Sequence, residues 1–214
     1  MPSYRAPVED VKFLLDDVFH FDRYNNLPGF SDATADVRDA ILSEAAKFSE
    51  EVLQPLNRVG DLEGCKRHDD GRVTTPKGFK EAFRQMGEGG WIGLAGPVEY
   101  GGQGLPQTLA QTIGEFMISA NMAFSMYHGL TLGAVAALVA HADEGIKQTY
   151  IPNMLSGKWA GTMNLTEPHC GTDLGLLRTK AARQADGSFK ISGTKIFISG
   201  GDQDITENIV HLVI

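Results

Sequence analysis

The chain has 214 residues, of which 42% are hydrophobic and 21% are charged, a composition typical of a folded globular protein. Its formal net charge of -8 argues against a nucleic-acid-binding surface, which would need a basic patch. The two cysteines are widely separated in sequence and indicate neither a disulfide framework nor a thiolate metal site. Because the N-terminus lacks the apolar stretch of a signal peptide, we expect a cytoplasmic protein.

The chain begins with a segment, residues 1–30, that predicts an N-terminal arm made of a short helix and a polar turn. An amphipathic helix follows it. Ser31 or Asp32 can cap this helix, its apolar residues recur at helical spacing, and Pro55 marks its end. The polar stretch 56–74 then predicts a long connection.

The next part of the chain also predicts helices. Thr75-Pro76 is typical of a helix start, and Gly87 of its end. Two apolar helices are predicted within 105–142, followed by a shorter one that Pro152 limits. Residues 123–142 are apolar but carry serine, histidine and threonine, so they predict a buried core helix and no membrane span.

After residue 158 the hydrophobic period changes from helical to strand-like. The predicted strands are 177–182, 189–191, 195–198 and 208–214. The sequence therefore predicts an α+β fold, with a helical N-terminal domain at 31–158 and the start of an antiparallel β domain at 159–214. Because the last strand is apolar through Ile214, and an uncovered strand invites edge pairing, we expect a longer parent chain and self-association of this polypeptide.

The stretch from Met163 to Asp173 joins the two patterns. Glu167-Pro168 biases the chain away from helix, and Gly171 permits a close backbone approach, so the stretch predicts a strand end that opens into a binding loop. On composition alone, these residue types would equally make an exposed turn with no function.

Other polar residues have simpler interpretations. His169 and Cys170 have no second ligand cluster at zinc-like spacing, so we expect no metal site. His128 on an apolar helix is interpreted as a core histidine whose hydrogen bonds are satisfied. Phe197 can be a core residue of a strand, and Ser199 the start of a turn.

Several motifs, in order along most of the chain, together resemble the acyl-CoA dehydrogenase family. They are Glu99-Tyr100-Gly101-Gly102-Gln103-Gly104, Ser125-Met126-Tyr127-His128, Gly145 to Lys158, Leu165-Thr166-Glu167-Pro168 with Gly171-Thr172-Asp173, and Gly193 to Gly200. Tyr4-Arg5-Ala6-Pro7 with Phe13-Leu14-Leu15 further resembles the subgroup that includes the 3-methylmercaptopropionyl-CoA dehydrogenases.

The resemblance implies a helical N-terminal domain, a β-barrel-like middle domain, and a C-terminal helical bundle before which this sequence would be truncated. It implies FAD as cofactor, an acyl-CoA substrate, an electron-transfer flavoprotein or similar acceptor, and a homo-oligomer. In such enzymes a glutamate takes the α-proton of the thioester and a hydride moves to the flavin, which gives a trans-2-enoyl-CoA. Glu99, Glu115 and Glu167 match no family base position, so we name no catalytic residue here and expect this polypeptide alone to be inactive.

The resemblance also implies which residues contact the cofactor. Thr166 and Ser199 match positions whose hydroxyl or backbone groups reach the flavin edge. Met163 and Leu165 would line the ring, and Gly171 would permit its close approach.

Two candidate contacts depart from the family pattern. Thr172 stands where the family usually has serine, and it matches a contact to the flavin phosphate or to the thioester substrate, a role that its hydroxyl preserves. Phe197 stands where the family more often has tryptophan, so it can stack on the flavin but lacks the indole N–H.

Two other functions stay open at this point. An acyl-CoA oxidase or flavin monooxygenase of the same fold would let reduced flavin meet oxygen. A non-enzymatic flavin-binding or interaction protein would keep the fold without the chemistry, and the lack of an assignable base favours it.

Overall fold

The structure is a computed structural model that describes residues 3–214, so the first two residues of the predicted arm lie outside it. Within that range helices come first and a small β region follows, which confirms the predicted α+β class. The helices are α1 (Val8–Phe13), α2 (Ala35–Phe48), α3 (Gln54–Glu63), α4 (Phe79–Glu88), α5 (Gln107–Ala120), α6 (Met122–His141) and α7 (Glu144–Leu155). The strands are β1 (Lys66–Arg67), β2 (Val73–Thr74), β3 (Trp159–Asn164), β4 (Lys180–Arg183), β5 (Phe189–Ser192) and β6 (Asn208–Val213). The division into three domains stays a prediction.

The first long helix does not end before Pro55, and the sequence prediction is wrong there. A π-helical turn at Ser49–Leu53 joins α2 to α3, and this wider turn accommodates the ring and missing N–H of the proline that follows it. Much of the predicted connection 56–74 is therefore helical, and β1 and β2 form a short antiparallel hairpin in the rest. The helix begins at Ala35, after Thr34, later than the predicted caps.

Two other helix ends also differ from the prediction. α4 begins at Phe79 instead of Thr75-Pro76, because Thr75 donates from N and Oγ1 to Asp204 Oδ1, at 2.9 and 2.7 Å. α7 continues past Pro152 to Leu155. Its last turn is buried, so apolar packing outweighs the one hydrogen bond that the proline cannot donate.

Two apolar clusters form the core of the helical part. The larger one joins α2, α4, α5 and the start of α6, and includes an edge-to-face contact between Phe79 and Phe124, whose centroids are 5.4 Å apart. The apolar face predicted for α4 is confirmed, since Phe79, Phe83 and Met86 are buried. The smaller cluster joins α6, α7 and β3.

The N-terminal arm packs on α2 through the buried side chain of Arg38. Its guanidinium donates to the carboxylates of Asp16 and Asp22 and, at 2.8 Å, to the carbonyl of Ala33. It also lies 4.7 Å from the centroid of the Phe21 ring. Because both carboxylates belong to the arm, one side chain fastens the arm to the helical part.

The β region is only partly antiparallel. β4 and β5 pair antiparallel, as predicted, whereas β3 and β6 pair in parallel, from Trp159 opposite Asn208 to Asn164 opposite Val213. The long segment between β3 and β6 lets the chain return in the same direction. The predicted strand 195–198 is wrong, because Phe197 has φ of 56°, a left-handed conformation that interrupts a strand.

Helix α6 and strand β3 are in close contact at Gly161. A Cβ there would lie 2.7 Å from Met154 Cε and 2.8 Å from Ala134 Cβ, and the Gly161 N–H donates to Thr131 Oγ1 at 2.9 Å. By length and a mean hydropathy of 1.5, α6 is apolar enough to cross a membrane. Of this apolar stretch, 33% is buried inside the described protein, and one face of α6 packs on β3 near the end of that strand.

Candidate functional site

The loop that follows β3 is held against a second loop, residues 193–200. The N–H of Ile196 donates to the Thr166 carbonyl at 2.9 Å, and Lys195 Nζ donates to the Leu165 carbonyl at the same distance. Two segments far apart in sequence, both predicted to contact the cofactor, are therefore adjacent at the end of β3.

The buried carboxylate of Glu167 joins a third segment to these two. Its Oε2 accepts from the Arg178 N–H at 2.8 Å, and its Oε1 accepts from the Thr179 N–H at 2.9 Å and from Lys195 Nζ at 3.0 Å. The side chains of Glu167 and Lys195 are 2% and 10% exposed. We call this arrangement the Glu167–Lys195 latch.

The surroundings of Glu167 keep it ionised. The neighbouring Thr179 hydroxyl, the Arg178 N–H and the Lys195 ammonium hold the pKa of Glu167 well below its usual range, against the opposing effect of burial. A carboxylate that is paired in this way has little basicity at neutral pH, so Glu167 is not a base candidate. Glu99 and Glu115 are exposed on the helical part.

Phe197 stands out on the surface of the second loop. Its side chain is 88% exposed. Its backbone is in the left-handed region, a conformation that costs a non-glycine residue free energy. On the far side of the loop, a Cβ on Gly200 would lie 3.4 Å from the Tyr127 ring of α6, and the Gly201 N–H donates to the Ile198 carbonyl at 3.1 Å. The fold therefore holds an aromatic ring out towards solvent.

The other predicted contacts lie on the first loop and at the end of β3. Met163 is 47% exposed at the end of β3, and Leu165 and Thr166 are half-buried beside it. A Cβ on Gly171 would lie 3.3 Å from Thr166 Cγ2, so there is little room for a side chain at this position, and the approach of the flavin to it stays a prediction. Thr172 is exposed next to it.

Ser199 lies two residues beyond Phe197 and is also exposed. The Ile196–Thr166 hydrogen bond thus places the segment that carries Phe197 next to Thr166, and Gly171 lies against the Thr166 side chain. Thr172 and Ser199 flank them. We call these residues, with Met163 and Leu165, the loop wall.

One polar cluster next to the loop wall escaped the sequence prediction. Thr162 Oγ1 lies 2.6 Å from Asn164 Oδ1 and 2.8 Å from His211 Nδ1, on the face of β3 and β6 opposite Gly161. Thr162 and Asn164 alternate along β3, and this spacing could have predicted that the two side chains share one face of the strand. The sequence could not identify His211 on β6 as their partner, because β3 and β6 are far apart in sequence and pair in parallel.

His128 also differs from the prediction. It is a core residue, 8% exposed, but among the described residues its Nδ1 has no hydrogen-bond partner, so the predicted satisfied histidine is wrong. Burial lowers the pKa of His128 to about 4, so the imidazole is neutral at physiological pH.

His128 lines a cleft of about 600 Å³ between α5 and α6, next to the loop at 95–97. The α6 side of the cleft is a row of small residues, and a Cβ on Gly129 or Gly133 would meet no heavy atom within 4 Å. The cleft therefore has a mostly apolar lining, with the side chains of Gln107 and Gln111 among its polar residues.

The only described residues grouped like metal ligands are Glu167, His169 and Cys170, whose ligand atoms lie within 4.8 Å of one another. His169 Nε2 lies 2.9 Å from the Leu176 carbonyl, which requires a proton on that nitrogen. Because Glu167 is also paired with Lys195, protein contacts already engage two of the three donors, and the group does not support a metal site.

Comparison with known proteins identifies the family of this chain. The model of the acyl-CoA dehydrogenase N-terminal domain matches residues 36–158, which is more than half of the chain. The chain therefore belongs to the acyl-CoA dehydrogenase family. Within it, the chain is 41% identical over 212 residues to 3-methylmercaptopropionyl-CoA dehydrogenase of Ruegeria pomeroyi, covering 99% of this chain and 36% of that protein.

Two solved structures show the same fold. A chain described as electron transferring flavoprotein of Acidaminococcus fermentans is 27% identical with a TM-score of 0.66, over 78% of this chain and 41% of that one. The acyl-CoA dehydrogenase from Bacillus anthracis, complexed with FAD, is 24% identical with a TM-score of 0.64, over 78% of this chain and 27% of that one.

We predict that the Glu167–Lys195 latch makes stability pH-dependent. Because the pKa of Glu167 is lower in the folded protein than in the unfolded chain, its stabilising contribution is complete above the unfolded value of about 4.3 and is lost as pH falls below it. Glu167→Gln in the full-length protein should therefore lower the unfolding temperature at neutral pH, and the difference from wild type should shrink below about pH 4. A difference that stays constant down to about pH 3 would contradict this account.

Proposed function

We propose that this chain supplies one wall of the FAD site and part of the acyl-CoA site of an enzyme that converts an acyl-CoA thioester into a trans-2-enoyl-CoA. The observation that carries the proposal is the exposed, strained Phe197 held beside Thr166 and Ser199 at the end of β3. Membership of the acyl-CoA dehydrogenase family supports the reaction class.

The residues of the loop wall fit a flavin. An isoalloxazine ring is flat and apolar on its faces and polar along one edge, so it needs both apolar contacts and hydrogen bonds. Phe197 and Met163 present exposed apolar surface, while Thr166 and Ser199 carry hydroxyl and backbone groups beside it. When bound, FAD supplies the hydride acceptor; these side chains would bind and orient it. Thr172 would contact the flavin phosphate or the thioester.

We propose that the base that takes the α-proton lies outside these 214 residues. The support is the Glu167–Lys195 latch, which makes the one buried glutamate beside the loop wall a poor proton acceptor. The chain would then bind and orient both the cofactor and the substrate, without performing the proton transfer.

The cleft between α5 and α6 is our candidate for the acyl chain. An acyl group needs an apolar space, and the row of glycine and alanine residues along α6 provides one. Gln107 and Gln111, on the α5 side, add polar groups to the lining. Among acyl groups, a short one such as that of the Ruegeria pomeroyi relative is our first candidate.

The remaining features of the parent protein are also proposals. The likeness to the Acidaminococcus fermentans chain supports an electron-transferring flavoprotein as acceptor. We further propose a cytoplasmic homo-oligomer, and we expect the 214-residue polypeptide alone to bind FAD weakly and to be inactive.

The proposed function predicts bound FAD and reduction of an artificial electron acceptor by the full-length enzyme. The substrates to compare are 3-methylmercaptopropionyl-CoA and straight-chain acyl-CoA thioesters of increasing length, with the 214-residue polypeptide as a control. Enoyl-CoA should form with little peroxide. A peroxide yield equal to the enoyl-CoA formed would favour an oxidase, and a protein without FAD or turnover would refute the proposal.

The cleft predicts a change in acyl-length preference. Gly133→Leu should fill the cleft without a clash, since a Cβ there meets no atom within 4 Å, and should lower kcat/KM for long acyl chains at least about tenfold more than for short ones. Gly145→Ala, in the first turn of α7 and outside the cleft lining, is the matched control. Equal losses for short and long substrates would show that the acyl chain binds elsewhere.

A further inference from the structure

The second loop of the loop wall, residues 193–200, is not part of any sheet in the described chain, so individual contacts must fix its position. Three of them lie at its start: the Ile196–Thr166 backbone hydrogen bond and the two bonds that Lys195 Nζ donates, to Leu165 and to Glu167. The contacts that fix the backbone just before the exposed Phe197 are therefore made by residues 195 and 196.

We infer that Glu167 and Lys195 are positioning residues for FAD: they fix Thr166, Phe197 and Ser199 relative to one another in the arrangement that the flavin contacts. This inference rests on the proposed function. Neither residue can act by direct contact with a ligand at the exposed face, because their side chains are 2% and 10% exposed, whereas Phe197 is 88% exposed.

The chemistry of the latch supports positioning over simple stabilisation. Apolar residues of similar volume often replace both members of a buried ion pair at no loss of stability, although removing one member alone is destabilising. Here the pair connects separate segments of the chain, because the Glu167 carboxylate accepts hydrogen bonds from the Arg178 and Thr179 backbone and from the Lys195 side chain at once. Charge-assisted hydrogen bonds of this kind have strict geometry.

The backbone of Phe197 supplies a second, independent reason. A non-glycine residue stays at φ of 56° only when its neighbours determine its conformation. The hydrogen bond at Ile196 fixes one side, and the turn between Ile198 and Gly201 fixes the other. Loosening the Lys195 side of this frame should let the loop relax, and the ring would then leave the position it takes beside Thr166.

The test uses the full-length enzyme and measures the FAD dissociation constant and the visible absorption spectrum of the bound flavin. Glu167→Gln and Lys195→Met are the single variants, and Lys195→Arg is the conservative one. The double variant removes both charges and therefore leaves no buried charge unpaired. It keeps the test possible if a single variant folds poorly. Glu144→Gln is the control: this carboxylate accepts side-chain hydrogen bonds from Tyr100 and Gln148, in the helical part.

We expect each single variant to weaken FAD binding at least about tenfold and to shift the flavin spectrum. The double variant should bind about as weakly as the singles, because the two residues act as one unit, and Lys195→Arg should recover most of the loss. Glu144→Gln should bind FAD as wild type does.

Wild-type affinity and spectrum in the latch variants, with only a lower unfolding temperature, would overturn the inference and leave the proposed function intact. A wild-type enzyme that binds no FAD would instead refute the proposed function, and the inference with it.

Discussion

A single buried carboxylate connects the three chain segments on which the loop wall depends. Glu167 binds the backbone at Arg178 and Thr179 and the ammonium of Lys195, which in turn holds the Leu165 carbonyl. Residues from both family motifs thus share one hydrogen-bonded centre. Because this centre is buried while Phe197 is exposed, the groups that fix the geometry are separate from those offered to a ligand.

The helical part gives this centre a rigid support. Gly161 lets β3 approach α6 closely, and Gly200 lies against the Tyr127 ring of the same helix. The opposite face of α6 carries the row of small residues that lines the cleft. One helix therefore supports the loop wall on one side and bounds the proposed acyl site on another, so in our proposal it would relate the position of the substrate to that of the cofactor.

The sequence predicted features that depend on local pattern: the buried face of α4, and strands of an antiparallel β region near 177–191. It failed where distant neighbours decide the outcome. The residue types around Phe197 are typical of a strand. Its left-handed backbone conformation is imposed by the hydrogen bond at Ile196 and the turn between Ile198 and Gly201. Pro55 looked like a helix end because a π turn has no clear sequence signal. Likewise, whether His128 has a hydrogen-bond partner depends on neighbours that its own helix does not reveal.

The central claim is that the loop wall binds flavin, and the FAD dissociation constants of Thr166→Val and Ser199→Ala in the full-length protein test it most directly. Each change removes one hydroxyl of the loop wall at little cost in volume, so each should weaken binding by about 1 kcal/mol, which is roughly fivefold. Unchanged FAD affinity in both variants, with wild-type unfolding temperatures, would show that the flavin does not contact this wall.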